Sequence, residues 1–361
     1  MAKAKANSTT KQMEQGRPKK EAKYITTGNT QRDLMIGGGE GLGYKIGKMY
    51  NIVGNSSAGK TFFAIQSIVA NYYALGDKFV WNYDDGENGF SFDAKVMFNM
   101  DKPFLDEDTL QSKTVEDLYN NIRKFSEELK KNQIGMYVID SLDGITSEEI
   151  QERGDERYSQ FVKGKVFDEG TMAMGKAKFL SQEFFSDISS RIATKNVVFV
   201  VISQVRDNVG AGKYGKKDRR NGGRALDFFC HTVEWIKGVG EKAEMLDDGT
   251  GLRSGRPVRS INEKSKTARP FRTAYMILDY SIGIDDIAGN VDYLYNLRTP
   301  TGTLKGTKKN KLDWDELLFE RKELCDYIYD NELEAELRTR VIDKWELAEN
   351  SIKNRRKPRF K

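Results

Sequence analysis

The sequence predicts an α/β fold, a mostly parallel sheet flanked by helices, followed by a small C-terminal helical domain. Two observations carry this reading. From Met49 onward apolar runs alternate with amphipathic stretches, the pattern of strands that return in parallel through covering helices. The first strand-to-helix junction holds GNSSAGKT, Gly54 to Thr61, a Gly-rich turn of the kind that receives phosphates.

In chain order, MYNIVG reads as a buried strand, TFFAIQSIVANYYAL as a helix, FVWNYD as a strand, DLYNNIRKFSEELKK as a helix and MYVIDSL as a strand. AKFLSQEFFSDISSRI reads as a helix, with Leu180, Phe184, Ile188 and Ile192 at four-residue spacing, and NVVFVVISQ as the next strand. A basic loop follows, and strands resume in HTVEWIKGV, RPVRSINEK and TAYMILDY. From about Asp313 the chain becomes charged and is expected to be helical through WDELLFERKELCDYIYD and AELRTRVIDKWELAENSI. The expected organisation is a basic, disordered segment over 1–23, a core over 24–298, a helical domain over 299–350 and a basic tail over 351–361, with no internal repeat.

Composition narrows the function classes. The 361 residues include two cysteines, too few for a disulfide framework, so a reducing, cytoplasmic setting is expected. A single histidine, His231, argues against histidine-based triads and metal sites. No run approaches 18 apolar residues and MAKAKANSTTKQ lacks an apolar core, so neither export nor a membrane partner is expected. Residues 1–23, 205–224 and 351–361 together carry a charge of +16 in a chain of formal net charge +5, leaving −11 on the rest. Positive charge gathered in tails and one loop, on an acidic body, suits an anionic polymer better than a generally adhesive surface.

GNSSAGKT fits G-x-x-x-x-G-K-[ST]. Gly54, Asn55, Ser56, Ser57, Ala58 and Gly59 would wrap backbone N–H groups around phosphate oxygens, Lys60 would reach the terminal phosphates and the Thr61 hydroxyl would ligate Mg²⁺. A nucleoside triphosphate is therefore the expected cofactor, with Mg²⁺. Asp140, closing the strand MYVID, is the partner carboxylate for the metal. Hydrolysis also needs a group that orients or deprotonates water, and YDDGENGF offers Asp84, Asp85 and Glu87; their chemistry does not separate them.

The loop SQVRDNVGAGKYGKKDRRNGGRALDFF sets seven Lys or Arg, two Asp and five Gly within Val205–Arg224, and its glycines argue against a stable helix or strand there. Arg206, Lys213, Lys216, Lys217, Arg219, Arg220 and Arg224 suit backbone phosphates, and Tyr214 a stacked base.

These motifs, in this order over residues 24–298, resemble the RecA family of homologous-recombination ATPases, in a phage-type form. YITTGNTQRDLMIGGGEGLGYKIGKMYNIVGNSSAGKT is similar to the family's approach to its ATP loop, and VIDSL to its second nucleotide motif. The combination of ISQVR with NGGRALDFF, bracketing the loop, is the most specific. The resemblance implies that Glu87 is the catalytic glutamate, that Gln204 senses the γ-phosphate and that the loop is the second DNA-binding loop. It also implies that AKFLSQ, with Lys178 as a DNA contact, follows a first DNA loop region, TSEEIQERGDERYSQFVKGKVFDEGTMAMG. Lys264 and Lys266 of NEKSKTARPF match a lysine pair that acts on the neighbouring subunit's ATP, and Tyr280 matches a ring beside the adenine. The implied function is a DNA-dependent ATPase that forms a helical filament on single-stranded DNA and carries out homologous pairing and strand exchange, with double-stranded DNA and single-strand-binding or mediator proteins as further partners. A ring-forming helicase or regulator, and a non-catalytic ATP-gated mediator, are the alternatives. The short N-terminal segment and the basic ending KNRRKPRFK depart from the bacterial pattern.

Overall fold

The computed structural model describes residues 24–38, 41–164, 175–207, 218–220, 223–239, 246–247, 253–305, 311–353 and 356. The elements run β1 Tyr24–Ile25, α1 Thr30–Gly37, β2 Tyr44–Lys45, β3 Met49–Gly54, α2 Lys60–Leu75, β4 Phe79–Asp84, α3 Ala94–Phe98, α4 Val115–Glu128 and β5 Ile134–Ile139. They continue with α5 Glu148–Val162, α6 Gly175–Phe179, a π-turn at Leu180–Phe184, α7 Phe185–Thr194, β6 Val197–Asp207, β7 Asp218–Arg220, α8 Gly223–Phe229 and β8 Thr232–Gly238. The remainder is β9 Leu246–Asp247, β10 Arg253–Ser265, β11 Thr273–Asp279, β12 Gly283–Asp285, α9 Asp286–Leu294, β13 Leu312–Trp314, β14 Leu317–Phe319, α10 Arg321–Asp330 and α11 Glu334–Ser351.

The main sheet has the strand order β12-β11-β10-β8-β3-β6-β5-β4. β8, β3, β6, β5 and β4 are parallel, and β10, β11 and β12 extend the sheet in antiparallel fashion. This is the mostly parallel α/β sheet that the alternating sequence predicts. Every residue of β3 is buried because both faces are covered, as parallel sheets require. Strand alternation divides the core into two apolar clusters. Ile52, Val200 and Ile202 pack on one face with Phe63 and Ile68 of α2, while Val53, Phe199 and Val201 pack on the other with Ile122, Phe184 and Ile188. The four-residue row Leu180, Phe184, Ile188 and Ile192 is buried as its spacing predicts.

Local chemistry sets the ends of the helices. Thr114 and Asp117 form a reciprocal capping box at the start of α4, whose Val115, Leu118, Ile122 and Phe125 turn inward at helical spacing. Near the N-terminus, Asp33 accepts hydrogen bonds from the Thr27 N–H at 2.6 Å and from the Thr26 and Thr27 hydroxyls, which fixes the turn before α1. The neighbouring Arg32 is buried, with Nε 2.7 Å from Oε1 of Glu234 on β8, and it also donates to the Tyr44 hydroxyl. Ser260 of β10 donates to the same Glu234 oxygen at 2.6 Å, so a satisfied ionic knot pins α1 to β8 and β10. Removing one partner would leave a buried charge alone, a loss of about 3–5 kcal/mol.

Two expectations are corrected. WDELLF does not begin a helix: Leu312–Trp314 and Leu317–Phe319 pair antiparallel, because Asp315 and Glu316 both take positive φ, 52° and 71°. That turn buries Leu312 and Trp314 on alternate positions, and the helix starts only at Arg321. The basic loop also holds more regular structure than its glycines suggest. Val205, Arg206 and Asp207 pair antiparallel with Arg220, Arg219 and Asp218, and none of these six positions is glycine. Towards the C-terminus, Trp314, Leu324, Ile328, Leu337, Val341 and Trp345 join the same apolar cluster as α1 and α2 residues.

Candidate ATP site

Strand register assembles the site. Gly54 of β3 stands opposite Gln204 of β6, and Asp84 of β4 opposite Ile139 of β5, so the turns after four parallel strands meet at one edge. In the first turn Gly59 has φ 94°, and a Cβ there would lie 3.0 Å from Leu278 Cδ2; a Cβ on Gly54 would lie 2.9 Å from the Ile236 carbonyl oxygen. Gly54 is required by space, because the near atom is backbone, and Gly59 by its conformation. Asn55, Ser56 and Ser57 are exposed on the turn and Ala58 is buried beneath it.

Lys60 opens α2 and is 8% exposed, its Nζ donating to the Asn55 carbonyl at 2.9 Å. Burial lowers its pKa, and Asp140, Glu87 and Asp143 oppose that shift. The Thr61 hydroxyl donates to Asp140 Oδ2 at 2.6 Å, and the Tyr83 hydroxyl to the same oxygen at 2.7 Å. Burial raises the Asp140 carboxyl above the usual range, and these two hydrogen bonds restrain the shift. Thr61 and Asp140 are hard-oxygen groups held together, the donor set that fits Mg²⁺ alongside phosphate and water. Lys60, Thr61, Glu87, Asp140 and Tyr280 all line one cavity of about 430 Å³.

The three acidic residues that sequence left unresolved have separate positions. Asp84 is fully buried, accepting from the Ser112 N–H at 2.8 Å, the Ser112 hydroxyl at 2.5 Å and the Tyr137 hydroxyl at 2.6 Å. Asp85 caps the next turn, accepting from the Phe90 N–H at 2.8 Å. Glu87 accepts from the Ser141 hydroxyl and, at 2.7 Å, from the Gln204 side-chain amide. The Gln204 backbone N–H in turn donates to Asp143 at 2.8 Å. Ser141 and Asp143 had no assigned role in the sequence reading, although they stand beside Asp140 in VIDSLDG.

The DNA-contact candidates are less closely gathered. Lys213, Tyr214, Lys216 and Lys217 lie outside the described residues. The backbones of Arg206, Arg219 and Arg220 stand in the β6–β7 ladder, and that of Arg224 in α8. Lys178 is exposed on α6. On the other flank, Lys264 donates to the Asp227 carbonyl and, at 3.2 Å, to that of Phe228; Lys266 donates to Phe228 at 2.9 Å. Both lysines thus cap the last turn of α8. His231, on the same flank, is held down to about 4 by burial and by the charges of Lys48, Lys266, Lys45 and Lys264. Among the described residues no helix is long and apolar enough to cross a membrane.

Several known proteins are similar to this chain. Protein RecA of Phytoplasma mali is 28% identical over 276 residues, covering 76% of this chain and 72% of that protein. Protein RecA of Thermus thermophilus is 25% identical over 342 residues, covering 91% and 87%. A crystal structure of the RadB recombinase covers 73% of this chain and 99% of its own at 16% identity, with a TM-score of 0.48. The family model described as the RecA N-terminal domain matches residues 3–285, which takes in every turn of the site. The chain belongs to the RecA N-terminal domain family, a family of recombination ATPases.

Proposed function

We propose that this chain is a DNA-dependent ATPase that assembles as a helical filament on single-stranded DNA and promotes homologous pairing and strand exchange. The observation that carries the reading is the hydrogen bond between Gln204 and Glu87, which ties a carboxylate in the phosphate cavity to the strand leading into the basic loop. In this reading, backbone N–H groups of Gly54–Gly59 cradle the phosphates, and Lys60 leaves the Asn55 carbonyl for the β and γ phosphates. Thr61 and Asp140 would hold Mg²⁺, which would supply charge neutralisation at the phosphates. Glu87 accepts the proton of the attacking water. Gln204 exchanges its bond to Glu87 for one to the γ-phosphate, and the change passes along β6 to the paired arms of the loop.

Lys264 and Lys266 leave the carbonyls of Asp227 and Phe228 to reach ATP on the adjacent subunit, and Tyr280 packs beside the adenine. Arg206, Lys213, Lys216, Lys217, Arg219, Arg220, Arg224 and Lys178 grip DNA phosphates, with Tyr214 stacking on a base. Double-stranded DNA and single-strand-binding or mediator proteins are the further partners, in a cytoplasmic setting. Electron microscopy with single-stranded DNA and a non-hydrolysable ATP analogue tests the assembly. Filaments along the DNA are expected; closed rings would make the chain a ring-forming motor instead.

A further inference from the structure

We propose that Lys176 and the turn Leu142–Ile145 form a clasp joining the first loop segment to the catalytic carboxylate, with Lys176 as a positioning residue for ATP turnover. The observations lie outside the Gln204 route. Lys176 Nζ donates to the Leu142 carbonyl at 2.7 Å and to the Ile145 carbonyl. Ile145 is the last residue before the 30-residue segment Thr146–Gly175, and Lys176 is the first residue after it. One ammonium group therefore closes both ends of that segment onto one turn.

The same turn is tied on its other sides. Ser141, immediately before it, donates to Glu87, and Asp143, inside it, accepts the Gln204 N–H at 2.8 Å. The Leu142 N–H donates to the Ile202 carbonyl at 3.1 Å. A Cβ on Gly144 would lie 2.3 Å from the Gly86 carbonyl oxygen, so the turn is in backbone contact with the one that carries Glu87. A displacement of Lys176 therefore changes the backing of Glu87 directly. The helix behind Lys176 has a discontinuity of its own, the π-turn at Leu180–Phe184, a feature common where a helix serves a site. Contiguous packed and hydrogen-bonded contacts can carry coupling between two sites, and these contacts form such a route.

The activity arm of the test rests on the DNA-dependent ATPase reading; the exchange arm does not. In the full chain, Lys176→Gln removes the charge and shortens the reach, and Lys176→Arg keeps both. At saturating ATP, Lys176→Gln should reduce the DNA-stimulated rate by about 5-fold or more, with KM for ATP and DNA affinity unchanged, and Lys176→Arg should restore most of it. Unchanged stimulation would overturn the proposal. So would weaker DNA binding with a logarithmic salt slope shallower by about 0.7, because Lys176 would then be a phosphate contact. Without DNA or nucleotide, Lys176→Gln should speed amide hydrogen exchange at Gly144 and Gln204, and unchanged protection there rejects the clasp. Should Lys176→Gln fail to fold, Asp143→Asn, which weakens the tie of the same turn to the Gln204 N–H, must show the same loss of stimulation. If the native protein shows no ATP turnover, the ATPase reading fails while the exchange result still decides the clasp.

Discussion

The two halves of the proposed ATP chemistry are built differently. In one half Lys60, Thr61, Asp140 and Glu87 line one cavity within a single chain, with Lys60 bonded to the Asn55 carbonyl of its own turn, Thr61 to Asp140, and Glu87 to Gln204. The half formed by Lys264 and Lys266 rests on carbonyls at the end of α8. The first is gathered by sheet register within one chain, so Lys60 and Gln204 exchange partners locally, whereas in the proposed trans role Lys264 and Lys266 exchange theirs across a subunit interface. Nucleotide binding should therefore depend on the first half alone, and turnover on both.

The largest break should come from Lys60→Ala, which removes the cation for the β and γ phosphates. Turnover should fall by roughly 10²–10³-fold, measured by phosphate release, with the circular dichroism of the fold retained. Glu87→Gln should reduce hydrolysis by about 10²-fold while ATP still supports DNA binding in a filter assay. Asp84→Asn, in contrast, should act on stability, costing about 1–3 kcal/mol through its buried bonds to Ser112 and Tyr137, read as a lower melting temperature.

Lys264→Ala or Lys266→Ala should spare nucleotide binding and abolish turnover. Mixing either variant with Lys60→Ala protein should recover part of the activity, since a mixed interface can join two intact halves; none at any ratio removes the trans assignment. Replacing Lys216, Lys217, Arg219 and Arg220 by Ala should flatten the salt dependence of single-stranded DNA affinity by about 0.7 in logarithmic slope per lost contact. The smallest effect is the pH response of His231. Its folded pKa of about 4 lies below the ordinary 6.5, so the folded protein resists protonation and loses stability as pH falls from 6.5 towards 4. Thermal melts of His231→Gln should show less of that loss.

How much of this was legible in sequence follows the same division. GNSSAGKT and VIDSL are local signals, because the backbone turn and the strand-end acid sit at fixed offsets. The chemistry of YDDGENGF did not separate Glu87 from Asp84 and Asp85, and the family resemblance pointed to Glu87; the structure adds that Asp84 is sealed by Ser112 and Tyr137 while Glu87 accepts from Gln204. Arg32 and Lys176 were missed because their partners, Glu234 and the Leu142–Ile145 carbonyls, are distant in sequence or are backbone atoms with no side-chain signature. The helical expectation for WDELLF failed because helical and hairpin patterns share apolar positions over six residues, and the positive φ of Asp315 and Glu316 decided the outcome.

The rate of ATP hydrolysis by the intact chain, measured with and without single-stranded DNA at fixed Mg²⁺, addresses the link between cavity and loop. The account predicts a low rate alone and a rate raised several-fold by DNA, with the increase lost in Gln204→Ala while ATP binding persists. A rate indifferent to DNA in the native protein, or DNA stimulation that survives Gln204→Ala unchanged, would contradict it.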